Sequence, residues 1–407
     1  MQASSHAVSD DPEKVASRNI KKSNLLFVTT ISGFLPQFEM RDAEIAGELG
    51  CRLFYASDFD NPVYPFDKQM LIDKGINLRP ISIKKSPRRF FSNLRAVFQV
   101  KRIIDREKID IIHCHNPLGG VVASVAAALS RRHPYVIYTA HGFHFYKGAP
   151  LINWLLYYPV EKMLSRCTDR IITINREDYL RAVKFPVRIK WNISQIHGVG
   201  VDPDKFRPRP EIRKSKRKEI GVPDCAFHIV TAAELNDNKN QKAIIEAIAA
   251  LKADDVYYSI CGKGPNKKYL KSIIEKYGLG ERVRLLGYRT DMEEILQTAD
   301  AFAFPSIREG FGIAAVEALL SGVPLIVSDT RGAREYAEDG VNSIVCRSGS
   351  VPEYAEAIGK LKDNPRLRKT LSDKCRDSAK EFTTAEVGNI MRPIYEDAIM
   401  RVGKGKH

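Results

Sequence analysis

Short apolar runs alternate with amphipathic stretches along almost the whole chain. Residues 24–30 (NLLFVTT), 52–56, 109–113, 135–140 and 170–174 are dominated by apolar side chains and predict buried strands. Helical spacing fills the gaps, as at 89–107 and 118–129. The alternation resumes with strands at 227–233, 256–261, 283–286, 301–305 and 325–328. Near-continuous hydrophobic strands separated by helices predict parallel sheets covered on both faces. Between the two series, residues 197–211 (HGVGVDPDKFRPRPE) contain three prolines and two glycines without periodicity, which reads as a linker. The expected organisation is an α/β domain at 24–197, a hinge at 198–211 and a second α/β domain at 212–385. A C-terminal helix and tail at 386–407 complete it, and the polar residues 1–23 read as a disordered extension. Two open α/β sheets facing a cleft suit a ligand held at the carboxyl ends of their strands.

Composition narrows the class. With 407 residues, 44% hydrophobic and 28% charged, the chain is neither disordered nor fibrous. Its charge is less ordinary, 64 Lys and Arg against 49 Asp and Glu, for a net +15. Residues 51–200 hold 24 basic and 11 acidic side chains, so one stretch carries most of the excess. That asymmetry calls for an anionic partner: nucleic acid, a membrane surface or a phosphorylated substrate. Seven cysteines are scattered singly, which argues against a disulfide framework or zinc ribbon and for a reducing cytosol. The N-terminus lacks the apolar segment of a signal peptide. The most apolar windows, 117–129 and 150–160, fall short of the ~18–20 residues that span a bilayer. The expectation is a cytoplasmic protein, soluble or peripheral on a membrane.

The richest stretch is 304–324, FPSIREGFGIAAVEALLSGVP. A strand leads through a Glu309-Gly310-Phe311-Gly312 loop into a helix beginning near Ile313. The free N–H groups and dipole of a helix N-terminus favour an anion, and glycines without a Cβ let a phosphate or sugar approach the main chain. Glu317 follows Glu309 by eight positions, between one and two turns into the helix. Carboxylates so placed would accept hydroxyl hydrogen bonds on either side of a diphosphate, the shape of a nucleotide-sugar.

The chain here resembles the retaining glycosyltransferases of family 4, whose GT-B fold has two Rossmann-like domains facing a central cleft. The resemblance covers about residues 24–400. Glu309 and Glu317 match the family's paired glutamates, and the resemblance implies that Glu309 contacts the donor sugar and Glu317 the ribose. GVGVDPDKFRP (198–208), CGKGP (261–265) and Leu286-Gly287-Tyr288 near the expected base pocket also match. TAHGFHFYKGAP (139–150), with NWLLYYPVEK and IITINREDY, is similar to the branch that builds bacterial capsule, exopolysaccharide and other surface glycans. In that setting His141 matches the histidine at the donor sugar, with its carbonyl or imidazole facing it. Gly33 stands where the family has a glycine loop before the diphosphate, although the usual glycine pair is missing. The family's Gly-Arg-Leu followed by Lys, which grips the diphosphate, reads Ala233-Glu234-Leu235 here, with Lys239 as the second cation.

Other patterns are weaker. His113-Cys114-His115 resembles a metal cluster, but strand alternation puts Cys114 on the opposite face from the histidines. Asp58/Asp60 and Asp202/Asp204 imitate an Asp-x-Asp metal motif in turn-rich settings where Asp is common. No metal or cofactor is expected beyond the UDP-sugar itself. Residues 84–108 carry nine cations and two acids, with Phe90, Phe91, Leu94, Val97 and Phe98 at helical spacing. This is either a packed helix with a solvated basic face or a helix lying on anionic lipid. Nucleic acid is not expected, because no recognised binding motif accompanies the charge. Residues 151–164 are apolar enough to be core or acceptor-side surface.

The expected activity is therefore retaining, metal-independent transfer of a hexose or N-acetylhexosamine from a UDP-sugar. The expected acceptor is a polyprenyl-diphosphate-linked glycan at the inner face of the cell membrane. Lys239, Glu309 and His141 are the expected catalytic residues, and Gly33, Tyr288, Gly310, Phe311, Gly312, Ile313 and Glu317 the donor-binding set. The competing class is a non-catalytic basic protein, binding membrane or nucleic acid on a transferase scaffold.

Overall fold

The computed structural model describes residues 22–60, 62–86 and 89–404. The expected extension falls almost wholly outside them, as do Pro87 and Arg88 of the basic run. The first sheet contains β1 (Asn24–Val28), β2 (Arg52–Ser57), β3 (Asn77–Pro80), β4 (Ile111–His115), β5 (Tyr135–Ala140), β6 (Arg170–Thr173) and β7 (Ile193–Gln195). Its order is β3-β2-β1-β4-β5-β6-β7, all parallel. The second contains β8 (Phe227–Ala232), β9 (Val256–Cys261), β10 (Val283–Gly287), β11 (Ala301–Phe304), β12 (Leu325–Ser328) and β13 (Ser343–Cys346). Its order is β10-β9-β8-β11-β12-β13, again parallel. Each sheet reverses direction beside its first strand, the switch point at which open α/β sheets bind ligands.

Leu25, Leu26, Phe27 and Val28 are all fully buried, as a strand covered on both faces requires. β3, β7 and β13 are edge strands that the apolar pattern did not announce. An edge strand pairs on one side only and is stable with a short, mixed sequence such as NLRP or ISQ. β4 also runs two residues beyond its apolar stretch, burying His113 and His115 completely.

The two domains share one apolar cluster. It runs from Leu25 and Tyr135 on the first sheet, through Met391 and Phe382, to Phe311, Phe302 and Leu325 on the second. Chain crossings reinforce it: Val201 N donates to Phe382 O at 2.9 Å and Thr384 N to Val201 O at 3.0 Å. The last helix, Thr384–Gly403, starts at a Thr383 side-chain cap and returns to pack on the Met40–Glu48 helix of the first domain. There the Tyr395 hydroxyl meets His113 Nδ1 at 2.7 Å and Arg170 pairs with Asp397 at 2.9 Å. The expectation of two Rossmann-like domains and a C-terminal helix is met, and that helix crosses back to the first domain. Among the described residues, no helix is long and apolar enough to cross a membrane.

Candidate active site

Loops leaving β5 and β11 meet at the domain junction. A Cβ built on Gly310 would lie 2.6 Å from the carbonyl oxygen of His141, so the main chains touch there. Only glycine permits that approach. Asn175, which caps the Arg176–Ala182 helix, donates from Nδ2 to the Gly310 carbonyl at 3.0 Å. Gly312 then takes φ +103° as N-cap of the Ile313–Leu320 helix, where a Cβ would stand 2.5 Å from the Tyr336 hydroxyl. This helix has no side-chain cap; Ala315 N turns back to Gly312 O at 3.0 Å, and the dipole at this end favours an anion.

Lys239 and Glu309 come together across the loops that follow β8 and β11. Lys239 Nζ lies 2.5 Å from Glu309 Oε2 and 4.7 Å from the centre of the Phe304 ring. Asn238 ties the loops from both ends, accepting from Ile307 N at 2.8 Å and donating to Arg308 O at 2.9 Å. Both charged side chains retain some exposure, so a diphosphate and a sugar could replace their mutual contact.

A cleft of about 510 Å³ opens between the domains, lined on one side by the loops that follow β8 and β9. Phe38, Val63, Tyr64 and Pro65 form the first-domain wall; Glu234, Gly262–Gly264, Tyr288 and Met292 are on the other. Gly262 and Gly264 press the loop after β9 against Ala233 O and Leu235 O, where a Cβ would sit at 1.9 and 2.3 Å. This brings Lys263 into the cleft beside Tyr288, 5.8 Å from its ring centre. Arg289 also lines the cleft, but Asp291 and Glu219 hold its guanidinium.

The remaining predicted residues divide. Tyr288 is exposed in the cleft. Glu317 is half-buried, and burial pushes its carboxyl up to about 7, with Lys205 opposing and Glu293 adding to the shift. The Phe311 ring is buried against Tyr336 and Phe382, so only its main chain faces a ligand. Gly33 is buried beneath Tyr64, whose carbonyl would lie 2.2 Å from a Cβ there. A Gly33 main chain open to the diphosphate is therefore not what the fold presents: the 62–66 segment covers it.

His141 presents its carbonyl, not Nε2, to the opposite domain. Nε2 lies 3.2 Å from His115 Nδ1 and 3.3 Å from Glu39 Oε1, inside the first domain. Burial lowers the His141 pKa to about 4 and that of His113 to about 3, keeping both neutral. Cys114 faces away and donates to Ile137 O at 3.3 Å, as strand alternation requires. Asp58 is paired with Lys84, while Asp202 Oδ1 accepts from the N–H groups of Asp204 and Lys205. These Asp residues do structural work. His144 stacks on Tyr157 at 4.5 Å between ring centres.

Sequence reasoning missed the clamp across the junction. Arg331, from the loop after β12, pairs with buried Asp178 at 2.5 Å and donates to Phe143 O at 2.7 Å. Glu335 accepts from Arg176 N at 2.7 Å. Single Arg and Glu residues in loops carry no periodic signal. The acidic Glu39 and Asp42, set in an otherwise helical, core-facing segment, were a readable signal for a buried polar cluster.

Comparison with known proteins agrees with this geometry. Residues 212–378 match the family described as "Glycosyl transferases group 1" and residues 63–175 that described as "Glycosyl transferase 4-like". A Bacillus subtilis (strain 168) protein named as a glycosyltransferase, EpsD, is 42% identical over 321 residues, 77% of this chain and 83% of the relative. The Escherichia coli UDP-Gal:alpha-D-GlcNAc-diphosphoundecaprenol alpha-1,3-galactosyltransferase is 27% identical over 314 residues, 76% of this chain and 80% of its own. Among solved structures, Anabaena Alr3699/HepE in complex with UDP and glucose superposes with a TM-score of 0.77 at 21% identity. That match covers 92% of this chain and all of the other. Two parallel sheets, a carboxylate–lysine pair at their junction and these likenesses agree: the chain belongs to the family 4 glycosyltransferases and has their GT-B fold.

Proposed function

We propose that this glycosyltransferase moves a hexose or N-acetylhexosamine from a UDP-sugar to a polyprenyl-diphosphate-linked glycan, with retention of configuration. The setting would be bacterial capsule or exopolysaccharide synthesis. The observation that carries the reading is the Lys239–Glu309 pair beside the open end of the Ile313–Leu320 helix, facing the His141 carbonyl across the domains. Donor binding would separate the pair, leaving Lys239 to the diphosphate and Glu309 to the sugar hydroxyls. The acceptor hydroxyl attacks the anomeric carbon from the face the diphosphate leaves, and a phosphate oxygen takes its proton. Stabilising the departing diphosphate is the main catalytic task, met by Lys239 and the helix N–H groups without calling on a metal. Glu317 and Tyr288 take the ribose and base, and residues 198–211 act as hinge between the 24–197 and 212–385 domains.

The acceptor reading is supported by the E. coli relative, whose name specifies a diphosphoundecaprenol acceptor, and by the first domain's surface. On the Phe90–Arg106 helix, Val97 packs inward while Phe91 is 84% exposed and Phe90, Leu94 and Phe98 are also in solvent. On the Leu151–Leu164 helix, Leu151 is 80% and Leu155 72% exposed, with Ile152 and Leu156 beside them. Both helices pack against the Pro117–Leu129 helix, so the apolar side chains share one layer. Such a face, with exposed Lys85 and Arg89 just before the Phe90–Arg106 helix, suits an anionic bilayer at the inner face of the cell membrane.

UDP release from a panel of UDP-sugars, with and without a lipid-diphosphate glycan, tests this reading. Acceptor-dependent release from one donor is expected. No release from any donor, together with retained lipid or nucleic-acid binding, would favour the non-catalytic alternative. Liposome binding indifferent to anionic lipid and salt would remove the membrane part.

A further inference from the structure

We propose that Glu39, His115 and His141 form a three-ligand site for a divalent transition metal of the zinc class, set directly behind the carbonyl that meets Gly310. Their facing atoms make a nearly equilateral triangle. His115 Nδ1 to His141 Nε2 is 3.2 Å, Glu39 Oε1 to His141 Nε2 is 3.3 Å, and Glu39 Oε1 to His115 Nδ1 is 3.5 Å. Tetrahedral bonds of about 2.0–2.1 Å place ligand atoms about 3.3 Å apart, the mean edge found here. A hydrogen bond to a carboxylate closes to about 2.7–2.9 Å, and both contacts to Glu39 Oε1 are longer. That oxygen is buried and has no hydrogen-bond partner among the described residues. Buried polar atoms are almost always satisfied; the Glu39 carboxyl bonds the Asp42 carboxyl, with burial pushing its pKa well up, but Oε1, aimed at two imidazole nitrogens, calls for a further partner.

The surroundings fit a metal better than water. Phe34 stands edge-on to His141 at 4.9 Å between ring centres, and Phe27 stacks on His115 at 6.2 Å. Two imidazoles and a carboxylate are a borderline-soft donor set suited to zinc and its neighbours rather than magnesium or calcium. The ligands come from rigid places: the end of β4, the residue after β5, and the junction of the Phe34–Phe38 and Met40–Glu48 helices. Asp42, close behind Glu39, supplies an outer shell, and His113 links it through Tyr395 to the C-terminal helix. The ion would touch neither Lys239 nor Glu309. It would fix the His141 main chain against Gly310, and this holds whatever sugar or acceptor the enzyme uses.

Tag-free protein, stripped with chelator and titrated with Zn²⁺ by calorimetry, is expected to take up one ion per chain. Co²⁺ in its place should show the intense visible absorption of a tetrahedral site. Removing an outer-shell partner commonly costs about 10–100-fold in affinity. Loss of a ligand in Glu39→Gln or His115→Asn should therefore cost more than about 100-fold. Zinc-edge X-ray absorption of the wild type should show imidazole nitrogens and oxygen at about 2.0–2.1 Å. Absence of a saturable one-equivalent site in the wild type overturns the proposal. So does an absorption spectrum without imidazole, or wild-type affinity in both folded variants. Should the variants fail to fold, the wild-type titration and spectrum decide alone.

Discussion

Gly310→Ala isolates the domain contact from every other feature of the site. Gly310 is not among the residues with positive φ, so alanine is compatible with its backbone. What changes is one methyl group placed 2.6 Å from His141 O, where ordinary contact starts near 3.4 Å. The loops after β5 and β11 would have to part by about 0.8 Å, since packed main chain has little slack. Misplacing reacting groups by about 1 Å can cost about 100-fold in rate. The expected loss in kcat/KM is therefore tenfold to a hundredfold, or about 1.4–2.7 kcal/mol of transition-state stabilisation. Neither domain core contains the new methyl, so the melting temperature should hold close to wild type. UDP release measured under steady-state conditions gives the rate, and small-angle scattering with saturating donor reports whether the domains still close. Gly280→Ala is the matched control, because a Cβ there meets nothing within 4 Å. A Gly310→Ala enzyme within twofold of wild type, closing normally, would refute the claim that this contact positions the site.

Further outcomes follow from named contacts. Lys239→Ala and Glu309→Ala should each lower turnover by tens- to thousands-fold while circular dichroism and melting stay near wild type; near-normal transfer by both would remove them from the site. Glu317 has a folded pKa near 7, above its ordinary 4.5, because burial disfavours the anion. The native state therefore binds the extra proton between about pH 4.5 and 7, so this carboxyl erodes stability as pH rises through that window, and the loss is complete above it. Glu317→Gln should remove that erosion, gaining at most about 3 kcal/mol at pH 8 relative to wild type and nothing at pH 4. Melting curves across pH 4–8 check it, and parallel wild-type and variant profiles would count against it. Arg331→Met takes from buried Asp178 the cation across the junction, leaving it Phe143 N and Asn175 Nδ2 as donors. Breaking a buried pair in this way costs about 3–5 kcal/mol, so a variant melting like wild type would show the clamp to be idle.

The sheet centres were legible because physics leaves them little choice. β1, β11 and β12 are covered on both faces, so each reads as a nearly unbroken apolar run. β3, β7 and β13 were not legible, since an edge strand borrows its register from a neighbour and needs no pattern of its own. The linker declared itself through prolines and glycines, but its pairing with Thr383 and Thr384 did not. That contact joins residues far apart in sequence, and only the returning C-terminal helix brings them together.

For the site, local strings were readable and convergence was not. Glu309, Gly310 and Gly312 form one strand–loop–helix unit, so their shared role follows from a few consecutive residues. Lys239 was placed only through the family resemblance; the structure brings its loop to Glu309 because β8 and β11 are neighbours in the sheet. Phe311 was expected in the donor-binding set, and where its ring goes within a tight loop is not fixed by sequence. The glycines on either side turn its ring into the shared core. Glu39, His115 and His141 show the limit most clearly. The sequence correctly separates His115 from Cys114 by strand parity, yet parity says only which face a residue takes. Which side chains share that face depends on neighbours in the sheet order: β4 beside β5 brings His115 to His141, and the helix pair after β1 lays Glu39 across both. A cluster assembled by topology is invisible to spacing, however strong the chemistry of its members.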